Sequence, residues 1–380
     1  MHSHHSHSGQ FCRHAAPGTT LEDVVLAAID AGFTTYGLSE HVPRYRKEDL
    51  YPEEEDLSPS DLLATFIHYL HEAHRLKLKY SAKIDLLVGL ETDYITPLDI
   101  TQLERLLSDK QTAGLVEYVV GSVHHVAEQG IDFSKDWWEA CIGSFSTHDN
   151  GSTPPPPPSQ TQAFTNDLAY LHAYLDAQHT LITRTHPTII GHFDLCRLYI
   201  PQLPLNHPSL PGVWEKVVRN IREVVAYGGM FEVSAASFRK GWQEGYPGSE
   251  VLQCIIANKG RLCLSDDSHG PAFVALNYTR LRAYLLAQGV TELWYLASNT
   301  QENNNDSNSN SQVRGHDGSS RSVTGTIAQE GTEDTRSERS WLDLQQRKLT
   351  ARRYDGNWAD DPFWTRLAER ERRNNAEMAT

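Results

Sequence analysis

The sequence predicts an α/β protein whose parallel strands close toward a barrel. Three observations predict it. Short apolar runs alternate with amphipathic stretches over about 300 residues, and strand–helix–strand order gives a parallel sheet. The alternation is even, which favours a barrel over an open doubly wound sheet. No glycine-rich GxGxxG turn supports the open form.

The elements follow in order. Thr20-Leu21-Glu22-Asp23 starts a helix whose apolar positions run to Ala31, and Gly32 stops it. Thr34 to Leu38 reads as a short strand ending near Glu40-His41. A second helix is expected over 60–80. Strands are expected at 84–90, 118–123, 188–190, 230–233, 261–264 and 292–296. Helices are expected at 97–112, 165–178, 213–227, 249–258 and 271–287. This pattern assigns residues 1–298 to one barrel.

Two segments belong to no core. Residues 144–162 hold Pro154 to Pro158 in a Gly/Ser/Thr/Gln setting, which favours an extended surface loop. Residues 299–340 are rich in Asn, Ser, Gly and Glu and cannot bury enough apolar surface to offset the entropy of ordering. Residues 341–380 form a C-terminal segment in which 362–374 reads as a charged helix able to pack Trp364 and Leu367 on the barrel.

Composition narrows the partners. The chain has 380 residues, 39% hydrophobic, with 34 basic and 49 acidic residues and a net charge of −15. A surface this acidic argues against duplex nucleic acid, which needs a basic face. No stretch approaches the roughly 20 apolar residues of a membrane span, and no hydrophobic signal region follows Met1. Five scattered cysteines without a CxxC pair suit a reduced, cytoplasmic protein. Nineteen histidines hint at metal chemistry.

Polar residues recur just after the predicted strands. Glu91 follows Leu87 to Leu90, His124 follows Val119 to Val123, and His192 and Asp194 follow Ile189-Ile190-Gly191. His41 follows Gly37-Leu38-Ser39, and Asp266, Asp267 and His269 follow Leu262 to Ser265. In β/α barrels that carboxyl rim is where chemistry is built. A single such residue is an ordinary cap or turn; five such positions, all imidazole or carboxylate, are a ligand set. His5 and His7 add an H-x-H pair, since alternate strand residues face one side. Alone, the His-Ser run at residues 1–7 is indistinguishable from a purification segment. Beside the later motifs it reads as the first strand, with His2 and His4 as bystanders and the chain expected to begin at or near Met1. The choices of Asp266 or Asp267, and of His124 or His125, stay open. His71 and His74 are three apart, not the four a zincin helix needs.

Taken in order, His5-Ser6-His7-Ser8, Ser39-Glu40-His41, Gly89-Leu90-Glu91, Gly121-Ser122-Val123-His124, Ile190-Gly191-His192-Phe193-Asp194 and Asp266-Asp267-Ser268-His269 resemble the motifs of the PHP family of metallophosphoesterases. Within it they resemble the histidinol-phosphate phosphatases, as does the stretch 8–15. The resemblance implies a distorted seven-stranded, TIM-like β/α barrel carrying three divalent ions (Zn, Fe or Mn). It implies one ion on His5, His7, Glu91 and Asp267, with Glu91 bridging to a second on His124 and His192. It places a third on His14, His41 and His269, and Asp194 as a further ligand or a group just behind. Glu91, Asp267 and His269 become the catalytic candidates. Neutral imidazoles and carboxylates suit such ions, which lower the pKa of an attacking water to roughly 7.

Substrate contacts follow from the same resemblance. Ser234 to Lys240 follows a predicted strand on the same rim, and Arg239 offers a bidentate fork for phosphate. Ser237 and Arg197 are further candidates, and Arg44 a weaker one. The implied reaction is hydrolysis of L-histidinol phosphate to L-histidinol and phosphate, in histidine biosynthesis, with a small phosphorylated substrate and neither nucleic acid nor membrane as partner. The rivals are a PHP-type phosphoesterase acting on nucleotides or nucleic-acid ends, and a metal-binding barrel without activity. The residues do not identify what holds the imidazole of the substrate.

Overall fold

The computed structural model describes residues 1–112, 114–145, 160–298 and 349–378. Its centre is a seven-stranded parallel sheet in the order β1 (His2–Ser3), β3 (Thr35–Leu38), β4 (Asp85–Glu91), β5 (Tyr118–Gly121), β8 (Ile189–Ile190), β9 (Met230–Ser234) and β10 (Arg261–Ser265). The sheet closes on itself. His4 donates its backbone N–H to the Leu264 carbonyl at 3.2 Å, joining the two edge strands. At the carboxyl rim β2 (Ser6–His7) pairs in parallel with β11 (Ser268–His269). The two halves of the ligand set furthest apart in sequence are therefore neighbours.

Helices wrap the outside: α1 (Leu21–Ala31), α2 (Pro59–Tyr80), α3 (Pro97–Ser108), α4 (Lys135–Ser144), α5 (Gln160–Thr185), α6 (Val213–Tyr227), the short α7 (Ala236–Arg239), α8 (Ser249–Ala257) and α9 (Tyr278–Ala287). The α1 start is a capping box of Thr20 and Asp23, and Gly32 ends the helix in the left-handed region at φ 85°. A small hairpin, β6 (His125–Val126) with β7 (Gln129–Gly130), stands above the rim.

Strands β4, β5, β8, β9 and β10 each serve two cores, which is why they read as continuous apolar runs. In β4, Leu86, Val88 and Leu90 join the large core under the helices, while Leu87 points into the barrel. Period-two alternation puts Gly89 and Glu91 in the same inward column as Leu87. In β9 the inward column likewise runs from Met230 to Glu232. The interior is filled by Leu87, Tyr118, Val120, Ile189, Met230 and Cys263. Tyr118 lies across it and donates to the His4 carbonyl at 2.9 Å. Gly89 makes room, because a Cβ there would sit 2.4 Å from the Tyr118 ring.

Several expectations need correction. The strand expected at 292–296 exists as β12 (Trp294–Ser298) but lies outside the barrel sheet. Both edges of β10 are already engaged, by β9 and by the first strand, so β12 pairs antiparallel with β13 (Leu349–Arg353) instead. Leu296 and Leu349 of this hairpin plug the amino end of the barrel. The N-terminal His segment supplies the seventh strand. The helix expected at 271–287 divides into a 3-10 turn, Pro271–Phe273, and α9, separated by Asn277 in the left-handed region. The expected 97–112 helix stops at Ser108, where Asp109 turns extended. Helix α4 escaped the pattern, although Ser134 caps it. Residue 144 closes α4 and 160–162 open α5; the rest of the expected 144–162 loop, and all of the 299–340 segment, lie outside the described residues. Helix α10 (Pro362–Met378) buries Phe363, Trp364 and Leu367 against the barrel helices.

Candidate metal centre

The carboxyl ends of the strands carry their polar residues into one place. Glu91 is the hub. Its Oε1 lies 3.1 Å from His192 Nε2 and 3.2 Å from both His5 Nε2 and His124 Nε2. Its Oε2 lies 3.2 Å from His7 Nε2 and 3.1 Å from His41 Nδ1. Ligand atoms gather in groups, each mutually within 4.8 Å: three follow the sequence motifs, His5, His7 and Asp267; Glu91, His124 and His192; and His14, His41 and His269; a fourth joins His7, Cys12 and His41.

The spacing suits metal ions. A tetrahedral ion with M–N bonds near 2.0–2.1 Å sets its nitrogens roughly 3.3 Å apart. The Nε2–Nε2 separations are 3.1 Å for His5 and His7, 3.3 Å for His124 and His192, and 3.3 Å for His14 and His41. Hard carboxylates and borderline imidazoles together fit Zn, Fe or Mn. The residues present therefore fit the divalent ions that the motifs imply.

Electrostatics agree. Burial would push Glu91 up, but His5, His124 and His41 outweigh it and hold the carboxyl well below its usual range. Burial would push His7 down, yet hydrogen bonding to Glu40 and Glu91 raises it to about 9. His124 rises to about 10 against burial, through Glu91 and then Asp132. His41 and His269 fall, first through burial. Cations displace these protons, so binding is coupled to proton release.

The two members of each open pair stand apart in the structure. Asp267 lies 3.7 Å from His5 and 3.6 Å from His7, with its backbone in the left-handed region at φ 45°. Asp266 points elsewhere, accepting from Ser3 at 3.2 Å and from the Ala275 N–H at 2.7 Å, and burial raises it to about 6. His124 joins the centre, whereas His125 pairs with Asp93 at 3.0 Å. His2 and His4 are buried hydrogen-bond acceptors, taking the Leu264 and Leu296 N–H groups at 3.2 and 3.0 Å.

Other candidates are not brought in. Asp194 accepts from Arg197 at 2.6 Å and from the Gly248 N–H at 2.9 Å, and it belongs to none of the three groups. Arg197 is consumed by Asp194, Glu250 and the Leu203 carbonyl and stacks on Trp242. Ser237 is buried and donates to the Glu244 carbonyl at 2.7 Å. Ser237 thus ties α7 to the loop that follows it, and Arg197 ties the segment after β8 to α8. Arg44 is buried between Glu54 and Asp93. Arg239, by contrast, reaches the centre. It donates to the Asp267 carbonyl at 2.6 Å, stacks over Phe273, and its Nε has no partner among the described residues.

Three carboxylates escaped the sequence reading. Glu232 Oε2 accepts from His5 Nδ1 at 2.6 Å, and its Oε1 accepts the His192 N–H at 3.2 Å. Glu40 accepts from the Ser8 N–H at 2.8 Å and lies 3.5 Å from His7 Nδ1. Asp93 lies 3.9 Å from His124 Nδ1. Such partners orient ligating imidazoles. The available signal was a glutamate in mid-strand, in the inward column of an otherwise apolar β9. Cys12 also stands here, 3.1 Å from His14 Nε2. The groups open into one cavity of about 410 Å³, whose wall includes His14, Glu91, Asp132, Phe133, Arg239 and Phe273.

Fold and site together define a class: β/α barrels that gather imidazoles and carboxylates around a shared glutamate at the carboxyl rim. The family model described as the PHP domain matches residues 3–236. The chain belongs to the PHP family. It is 42% identical over 292 residues to a Schizosaccharomyces pombe protein named "Probable histidinol-phosphatase", covering 77% of this chain and 88% of that one. It is 29% identical over 327 residues to the Saccharomyces cerevisiae protein named histidinol-phosphatase, covering 78% and 90%. Among solved structures, a Listeria monocytogenes chain bearing the name of a histidinol phosphatase superposes with TM-score 0.57 at 21% identity, covering 73% of this chain and 99% of that one. A histidinol phosphate phosphatase from Lactococcus lactis, complexed with Zn, L-histidinol and phosphate, superposes with TM-score 0.52 at 17% identity, covering 77% and 95%.

Proposed function

We propose that this protein is a metal-dependent phosphomonoesterase that hydrolyses L-histidinol phosphate to L-histidinol and phosphate in histidine biosynthesis, in line with the histidinol-phosphatase names of its relatives. One observation supports it above the others: three ligand groups meet at Glu91 in a single cavity beside a half-free Arg239. The reading assigns three divalent ions, of Zn, Fe or Mn type, to His5, His7, Asp267 and Glu91; to Glu91, His124 and His192; and to His14, His41 and His269. When bound, such ions supply Lewis acidity toward phosphoryl oxygens and lower the pKa of water.

The chain's own groups do the rest. Arg239 offers its remaining donors to the phosphoryl oxygens. Burial would raise Asp267, but His5, His269 and Arg239 overcome it and hold the carboxylate ionised, able to accept a hydrogen bond from the attacking water. Water oxygen bonds to phosphorus, the ester P–O bond breaks, and the leaving alkoxide takes up a proton. No side-chain nucleophile is needed. The reading also carries a cytoplasmic location: all five cysteines are free, and no helix among the described residues is long and apolar enough to cross a membrane.

The test pairs elemental analysis of an untagged sample with phosphate release from L-histidinol phosphate and from a nucleotide phosphodiester panel. Metal in the sample and selective hydrolysis of histidinol phosphate are expected. Preference for the diesters would point to the nucleotide-directed rival. Metal-replete protein inert toward every phosphomonoester would point to a binding barrel without activity.

A further inference from the structure

The cavity wall holds one carboxylate that stands outside the ligand groups. Asp132 lines it and has no hydrogen bond or ion pair among the described residues. It stands in none of the ligand groups. The fold puts it there deliberately in geometric terms. The β6–β7 hairpin turns through Ala127 and Glu128, both in the left-handed region at φ 49° and 64°, an arrangement that usually calls for Asn or Gly. The returning chain brings the Ile131 N–H onto the His124 carbonyl at 2.9 Å. Asp132 therefore begins one residue from a backbone bond to a ligand-bearing position.

An aromatic wall continues from it. Phe133 is 41% exposed and stacks on Tyr51 with ring planes 14° apart and centroids 5.6 Å apart. Both rings line the cavity. The cations enter from the end of α7, Arg239 in its last position and Lys240 just after it, and Arg239 is anchored to Asp267. Glu91 lies between the two ends, touching His5 and His7 of the Asp267 group and also His124 beside Asp132. The cavity wall thus carries cations from the end of α7 and, from the segment after β7, an unpaired carboxylate beside an aromatic pair.

A phosphomonoester whose leaving group bears an ammonium and a flat, basic ring is complementary to that polarity. We propose that Asp132 is the specificity residue that pairs with the cationic end of the leaving group, while Tyr51 and Phe133 cover its ring. This rests on the phosphomonoesterase reading above and extends it to the half of the substrate that is not phosphate.

The test compares L-histidinol phosphate with p-nitrophenyl phosphate, which shares the phosphoryl group and lacks the cation. Asp132→Asn should raise KM for L-histidinol phosphate by about 10- to 100-fold, the scale of one lost charge-assisted hydrogen bond, while leaving p-nitrophenyl phosphate hydrolysis within about twofold. Asp132→Glu should recover part of the loss. If the Asn variant does not fold, by thermal melting, Asp132→Ser carries the same comparison. Equal losses on both substrates in a folded variant, or no loss on either, would overturn the assignment. Wild-type protein that cleaves p-nitrophenyl phosphate but not L-histidinol phosphate would instead defeat the substrate reading, and the proposal with it.

Discussion

Glu232→Gln isolates what an outer carboxylate does for this centre. Glu232 and His5 are both about 1% exposed, and their contact is 2.6 Å. With His5 Nε2 turned to the cluster, Nδ1–H must donate to Glu232, and the second carboxylate oxygen accepts the His192 N–H. Both partners are donors, so the site needs two acceptors. A glutamine supplies one oxygen and one NH2, and either orientation sets a donor against a donor. The charge is lost as well. A hydrogen bond to a charged group contributes about 1.5–3 kcal/mol, which is about 10- to 150-fold in an equilibrium constant. Mutations of partners behind metal ligands typically cost about 10- to 100-fold in affinity, an independent figure of the same size. The expected result is a Zn or Mn dissociation constant raised about 10- to 100-fold in chelator competition, with turnover largely restored at saturating metal. Unchanged affinity in a folded variant would refute the orienting role. Turnover lost at full metal occupancy would mean that Glu232 acts in the chemistry instead.

Three further outcomes follow from the same geometry. Glu91→Gln should lower metal content and turnover together, since Glu91 contacts five imidazoles, and a variant with full metal and full rate would show the hub to be misassigned. Arg239→Ala should lower kcat/KM by about 10- to 150-fold, with lysine only a partial substitute because its single ammonium lacks the planar fork; equal activity of the two variants with wild type would remove Arg239 from the site. Burial pushes His4 down to about 4. A depressed histidine costs stability as pH falls from 6.5 through 4, because the unfolded chain then binds a proton that the folded one refuses, by up to about 3 kcal/mol. His4→Gln, which keeps an acceptor for the Leu296 N–H, should flatten that part of the acid slope in urea unfolding, and an identical slope would count against it.

Much of this was legible beforehand. The order of strands and helices, the rim position of Glu91, His124 and His192, and the H-x-H pair follow from local periodicity, since alternation and helix caps act over a few residues. Other features were not legible. The neighbours of β10 depend on which edge closes the barrel, and this sent β12 to pair with β13. Arg197 and Ser237 occupy a promising stretch of sequence, but their rotamers and packing turn them to Glu250 and the Glu244 carbonyl. Asp266 and Asp267 differ by a single residue, and only the left-handed backbone at Asp267 aims one of them at His5 and His7.

The sequence by itself determined the class of barrel, the types of polar residue at its rim and their order, because these reside in residue identity and short-range spacing. Tertiary structure alone decided that residues 262 positions apart, His5 and Asp267 among others, share one site, and that Glu232, Glu40 and Asp93 stand behind the imidazoles. It also decided that Asp194 serves the Arg197 network and that Asp132 faces the cavity unpaired. The physical reason is that a carboxylate's role depends on which charges and donors surround it, and those arrive from distant parts of the chain.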